Sequence, residues 1–207
     1  MKRPVSLIVA LLALAGLAAA GPSDPVLARV RDRYRTIATM SAQLTEVLCS
    51  AATGTCKRFT GKAEMKRPAK LRLEIDQPEQ QLVVCDGKVL TMYLAKERQA
   101  YRFDMAKSDQ MLTLLNPLDG LLDGEVVRSE AGDGVLTLVL AVPKYKDYFK
   151  EIVLTVDEKT LLITGIEAED VAGNHAQYEF SDIKVNPRIK DARFTFAVPK
   201  GVKVIAQ

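Results

Sequence analysis

Residues 61–103 run GKAEMKRPAKLRLEIDQPEQQLVVCDGKVLTMYLAKERQAYRF, and this stretch confines the chain to an antiparallel sheet. Phe59, Gly61, Ala63 and Met65 are apolar or small, while Arg58, Thr60, Lys62, Glu64 and Lys66 are polar. Alternation with a period of two puts one face of a strand toward a core or cavity and the other toward water. Pro68 stops this strand. Leu71, Leu73 and Ile75 then alternate with Arg72, Glu74 and Asp76 in a second one. After Gln77-Pro78, an apolar run over 82–85 faces another over 88–94 across Asp86-Gly87. Asp-Gly between apolar runs predicts a two-residue hairpin turn with both residues at positive φ. The stretch therefore reads as a meander with one Lys-Arg-Pro corner.

The start of the chain follows a different pattern. Lys2 and Arg3 precede an almost wholly apolar run over 5–17, and Ala18-Ala19-Ala20 offers a small-residue cleavage site before Gly21-Pro22. This is the pattern of a secretory signal peptide over residues 1–20, since the run is shorter than the ~20 residues that span a bilayer. No Cys follows the small residues, so no lipid attachment is expected there. Residues 21–207 are then expected to form one well-cored, exported domain. Without Lys2 and Arg3 the formal charge falls from +3 to +1, which gives no basis for binding nucleic acid through a basic surface.

Beyond the signal-like segment, Asp24-Pro25 reads as an N-cap and first helical position. Val26, Val30, Tyr34, Ile37 and Met40 form one apolar stripe, with Arg29, Arg31, Arg33 and Arg35 on the remaining faces, which read as solvated in preference to a basic patch for an acidic partner. A strand through Ala42, Leu44 and 47–49 leads into a loop bounded by Cys49 and Cys56. In an exported chain the pair reads as a disulfide closing a hairpin. The alternative, a metal or redox pair, lacks the Cys-x-x-Cys spacing. Cys85 is left as a half-buried thiol.

After a strand at 100–103, Ser108 caps a short helix holding Met111, Leu112, Leu114 and Leu115, which Asn116-Pro117 ends. Leu118, Leu121 and Leu122 follow, so this segment is either a core-covering connection or an apolar lid over a cavity. Strands are then expected at 125–130, 135–142, 151–157, 161–171, 175–185 and, briefly, 194–196, ahead of a tail at 202–205. Turns recur at intervals of about eight to twelve residues. The fold class is mainly β: an incomplete antiparallel barrel of about 10–11 strands, with an N-terminal helix and a short helical lid.

The inventory for catalysis is poor. His175 is the sole histidine and follows a Gly-Asn turn, and no zinc spacing, nucleophile elbow, phosphate loop or dinucleotide fingerprint occurs. No catalytic residue, metal or cofactor is expected. Hydrophobic residues make up 48% of the chain, with no Trp. Aliphatic and Met walls suit flexible acyl chains, although an ordinary sheet core has similar composition.

Gly61-Lys62-Ala63-Glu64-Met65-Lys66-Arg67-Pro68, Gln77-Pro78, Asp86-Gly87-Lys88-Val89-Leu90 and Tyr93 resemble the core signature of the periplasmic outer-membrane lipoprotein carriers, the LolA family. Phe194-Thr195-Phe196 and Pro199-Lys200-Gly201-Val202 resemble that family's closing segment. The resemblance implies a half-barrel that shields lipoprotein acyl chains in the periplasm. It also implies an inner-membrane ABC exporter as donor, an outer-membrane acceptor lipoprotein, and a monomeric carrier. Arg67 would hold the lid closed through its five donors. Met65, Leu73, Leu90 and Met92 from the meander would contact lipid, together with Met111, Leu112, Leu114, Leu115 and Leu118 from the lid. A carrier of another lipid or glycolipid, or a lipoprotein-sensing regulator, is the alternative on the same scaffold. Three features depart from the family pattern: the absence of Trp, the Cys49/Cys56 pair, and the patch at 144–149.

Overall fold

The computed structural model describes residues 24–107, 116, 118 and 120–206. The expected signal peptide and the expected lid residues Met111, Leu112, Leu114 and Leu115 lie outside the described residues. Among the described residues, no helix is long and apolar enough to cross a membrane.

Helix α1 spans Pro25–Arg35. The Asp24 carboxylate caps it, accepting from the Val26 N–H at 2.8 Å and the Leu27 N–H at 3.2 Å, while Pro25 occupies the first turn. Its other end is closed by a residue far along the chain. Asn186 Nδ2 donates to the Thr36 carbonyl at 3.0 Å, and its Oδ1 accepts from the Ala38 N–H at 2.8 Å. The buried stripe is Leu27, Val30 and Tyr34, with Val26 half-buried. It is narrower than the sequence stripe because the helix stops at Arg35, which leaves Ile37 in the connection and Met40 on the first strand.

The first six strands are β1 (Thr39–Ser50), β2 (Thr55–Lys66), β3 (Lys70–Gln77), β4 (Gln81–Asp86), β5 (Val89–Leu94) and β6 (Gln99–Asp104). The second group comprises β7 (Glu125–Gly132), β8 (Val135–Ala141), β9 (Phe149–Asp157), β10 (Ile163–Asp170) and β11 (His175–Val185), followed by the terminal β12 (Lys203–Ala206). They form one sheet of 12 strands in the order β12-β6-β5-β4-β3-β2-β1-β11-β10-β9-β8-β7. The two halves join through β1 and β11, and β7 and β12 are left as edges, so the barrel stays open. All pairings are antiparallel except β12 with β6, which run parallel. The tail expected at 202–205 is thus a strand laid on β6, and the strand count exceeds the expected one.

Two local expectations are corrected. Of Asp86-Gly87, Gly87 alone takes positive φ (99°). The Asp86 carboxylate accepts from the Lys88 N–H at 2.8 Å and the Val89 N–H at 2.9 Å, so Gly87-Lys88 makes the turn and Asp86 buttresses it. Residues 194–196 do not form a strand. Asp191–Phe194 is a 3-10 turn that packs on the convex side of β3 and β4. Its Phe194 covers Val84 and Thr91, both buried on that outer face. Aromatic alternation suggested a strand, but here it serves to cover a face. The patch at 144–149 includes a second 3-10 turn, Pro143–Tyr145, with Tyr145 buried.

The concave face carries the core. Register places Met40, Met65, Leu71, Cys85, Leu90 and Phe103 in one row across β1–β6, and Ala42, Ala63, Leu73, Val83, Met92 and Tyr101 in the next. Leu136, Leu138 and Leu140 from β8 meet Ile152, Leu154 and Val156 from β9 in the other half. Helix α1 and Leu118, Leu121 and Leu122 fill the hollow between them.

Candidate functional site

The β2–β3 corner projects Arg67 back across the mouth of the half-barrel. Its own N–H donates to the Ala38 carbonyl at 3.0 Å, fixing the corner beside the end of α1. The guanidinium Nη1 donates to the Tyr34 carbonyl at 2.9 Å and the Ile37 carbonyl at 3.2 Å. Nε donates to the Leu118 carbonyl at 3.1 Å, and Nη2 donates to the same oxygen. One side chain thus joins the meander, the C-terminal end of α1 and Leu118. A planar fork of five donors suits this task, whereas an ammonium does not.

Helix α1 is itself tied to the opposite half. The Tyr34 hydroxyl accepts from the Ile163 N–H at 2.9 Å, and Arg33 Nε donates to the Thr160 carbonyl at 3.3 Å. Arg31 Nε donates to the Leu122 carbonyl at 2.6 Å, and its Nη2 to the Gly124 carbonyl at 2.5 Å. Sequence reasoning placed Arg31 on a solvated face. The missed signal was spacing, since Arg31 lies four residues after Leu27 and three before Tyr34, beside the buried stripe.

The structure gathers Met65, Leu73, Leu90 and Leu118 into one buried cluster, with Met92 half-buried against it. Leu27, Val30 and Tyr34 of α1 belong to the same buried cluster. The Leu118 N–H is held by the side chain of the fully buried Asn116 at 3.1 Å. Cys85 is fully buried, and burial pushes its thiol above the ordinary value. Cys49 and Cys56 face each other across the β1–β2 pair and are disulfide-bonded.

An acid stands on the concave face. Glu46 shares the parity of Met40, Ala42, Leu44 and Leu48 on β1, a signal legible in the sequence but missed. It lies directly opposite Tyr178 of β11. Burial raises its carboxyl above the ordinary value, against the opposing pull of a hydrogen bond from Tyr178. Burial also raises the Tyr178 hydroxyl, with the facing carboxylate adding to the effect.

Beyond Glu46, toward the disulfide, the face opens into a cleft of about 430 Å³ walled by Leu48, Phe149, Ala168 and Ala176, with Lys57 at its rim. A larger cleft of about 620 Å³ lies on the convex face, but Lys62, Glu64, Arg72, Glu74 and Arg193 line it. Charged walls leave that cleft unsuited to apolar chains.

The family profile described as outer membrane lipoprotein carrier protein LolA matches residues 35–197. The chain belongs to the LolA family. An outer-membrane lipoprotein carrier protein from Pseudomonas putida (strain GB-1) is 32% identical over 212 residues, covering 97% of each chain. One from Chromobacterium violaceum is 31% identical over 213 residues, covering 100% of this chain and 99% of the relative. Among solved structures, an uncharacterized conserved protein from Thermus thermophilus superposes with a TM-score of 0.55 at 14% identity, over 88% of this chain and 97% of that one. That likeness concerns the fold. LolA membership places the chain among lipoprotein carriers, with a role in lipoprotein transport and outer-membrane biogenesis.

Proposed function

We propose that this protein is a periplasmic chaperone that shelters the acyl chains of lipoproteins on its concave face and ferries them from the inner to the outer membrane. Residues 1–20 act as its export signal and the remainder as a single, monomeric carrier domain. It receives cargo from an inner-membrane ABC exporter, delivers it to an outer-membrane acceptor, and works by binding, with no bond made or broken.

The observation that carries the reading is Arg67 Nε donating to the Leu118 carbonyl over an aliphatic interior. The described concave-face side chains and those of α1 form one buried cluster, which supports a closed, cargo-free form. Acyl chains must displace the covering segment, and Met111, Leu112, Leu114, Leu115 and Leu118 then supply apolar contacts from the lid side, with Met65, Leu73, Leu90 and Met92 below. Arg67 is the latch of the cargo-free state, so its closure opposes retention. An equilibrium between filled and closed forms lets cargo be held in transit and released on delivery.

Native mass spectrometry of the protein purified from periplasm tests the proposal. Co-purifying acylated lipoprotein supports it. Bound lipid without attached peptide would favour a carrier of another lipid or glycolipid. A persistently empty protein that neither takes up lipoprotein nor competes for it overturns it.

A further inference from the structure

Glu46 stands in a row that is otherwise apolar or aromatic. Register carries this row from Phe59 on β2 through Glu46 and Tyr178 to Ile166 on β10 and Leu154 on β9. Lys57, Leu48, Ala176 and Ala168 form the next row outward, and all four border the cleft of about 430 Å³. Two residues along a strand separate the rows, a step of about 7 Å. An acid is thus set one row inside an open, largely apolar cleft.

The protein itself uses only part of this carboxylate. Tyr178 donates a hydrogen bond to it, whereas a carboxylate has two oxygens and about four acceptor sites. Glutamine would accept from Tyr178 equally well with no charge to bury, so that contact does not account for an acid. Among the described residues, no cation forms an ion pair with Glu46. Lys57, its diagonal neighbour on the same face, is exposed, while Glu46 is half-buried. A carboxylate on an apolar face is costly until a cation meets it, and the upward push on its carboxyl reflects that cost.

We infer that Glu46 selects cargo by pairing with the free α-ammonium of a lipoprotein that carries two acyl chains, in preference to one whose terminal nitrogen is acylated. This rests on the reading of the concave face as the acyl site, and it names the class of cargo that site takes. In such a lipoprotein the α-nitrogen is joined to the ester-linked chains through Cα, Cβ, the thioether sulfur and the glycerol carbons. That linkage spans about one row, so a chain lying beside Leu48 and Ala176 in the cleft brings the ammonium to Glu46. The contact is a charge-assisted hydrogen bond in an apolar setting. Acylating the nitrogen removes the charge and leaves one donor of three, so the buried acid loses its partner.

Two probes test this in the mature protein: a fluorescent peptide with an S-dipalmitoylglyceryl cysteine and a free amino terminus, and its N-acetylated counterpart. Acetylation removes the charge and adds no third long chain. Affinities are measured near neutral pH, where an α-amino group is largely protonated. Wild type is expected to bind the free-amine peptide about tenfold more tightly or better. In Glu46→Gln the ratio of the two affinities should fall to within about twofold of one, and Glu46→Asp, which keeps a carboxylate, should retain part of the preference. If Glu46→Gln does not fold, Glu46→Ala carries the same comparison. Equal binding of the two peptides by wild type would overturn the inference, as would an undiminished preference in Glu46→Gln. Lysophosphatidylethanolamine is added as a competitor. Displacement of the free-amine peptide as effective as by unlabelled peptide, and lost in Glu46→Gln, would make the ligand a phospholipid and overturn the assignment to lipoprotein. Failure of both peptides to bind would sink acyl binding together with this inference, whereas equal binding of both sinks this inference alone.

Discussion

Arg67 and Leu118 stand 51 positions apart in the chain, and Nε of the first donates to the carbonyl of the second at 3.1 Å. The bond links the β2–β3 corner to Leu118, which is buried in the concave-face cluster. Its acceptor is backbone, so the interaction depends on the path of the chain and tolerates changes in the Leu118 side chain.

Arg67→Leu removes stabilisation from the closed form while leaving the apolar interior intact. Hydrogen bonds to a charged group contribute about 1.5–3 kcal/mol, so the closed-to-filled equilibrium should shift by roughly tenfold or more toward the filled form. The expected outcome is a folded protein that retains an acylated peptide longer than wild type. Release of a fluorescent acyl-peptide, followed after dilution, measures it. Unchanged release with an unchanged melting temperature would remove Arg67 from the latch role.

Glu46→Gln probes the acid on the concave face. Burial raises the Glu46 carboxyl in the folded protein, so the folded state holds this proton more tightly than the unfolded chain. The wild-type contribution is therefore fully present below the ordinary value of 4.5 and is lost as pH rises through the raised value. Gln stays neutral and still accepts from Tyr178. The two proteins should match in stability in acid, and Glu46→Gln should become the more stable as pH rises. Urea midpoints at a series of pH values decide the matter, and parallel curves would count against a raised Glu46.

Such sites show which features a single sequence discloses. Leu71, Leu73 and Ile75 against Arg72, Glu74 and Asp76 are legible because a period of two is local, and the Asp24-Pro25 start of α1 is legible because capping is local. The open barrel follows from chaining such hairpins. Arg31 was misread because its acceptors lie more than 90 positions away, and a charged residue beside a stripe reads as solvated. Glu46 was overlooked because an acid at an inward position makes sense only once Tyr178 is opposite it. The parallel docking of β12 on β6 and the outer cover from 191–196 depend on where a remote face is left bare, which no local pattern records.

Replacing Cys49 and Cys56 together by Ser should destabilise the protein by up to about 2.5 kcal/mol, the chain-entropy expectation for so short a loop. The observed loss should fall below that value if the β1–β2 hairpin keeps residual structure when unfolded. Urea unfolding of the oxidised protein and the double variant measures it. A loss well above that bound would point to native-state contacts of the disulfide itself, at the wall of the 430 Å³ cleft that includes Cys49.

Phe194→Ala separates the two faces of the sheet. Phe194 is 1% exposed although it lies on the convex side, where it covers Val84 and Thr91. Arg193 beside it pairs with Glu64 at 2.7 Å and Glu74 at 3.1 Å, and Arg72 Nη1 donates to the Arg193 carbonyl at 3.1 Å, so the turn cannot simply collapse onto the strands. A cavity should therefore remain, and Phe→Ala at such a site costs about 3–5 kcal/mol. Phe194→Leu keeps much of the volume and should cost appreciably less. Neither change touches the concave face, where Met65, Leu73 and Leu90 point away from Phe194 by strand parity. At a temperature where both variants are folded, acyl-peptide affinity should stay within about twofold of wild type. A large loss of affinity in Phe194→Leu, without comparable loss of stability, would mean the outer cover transmits strain to the concave face and that the two faces are not independent.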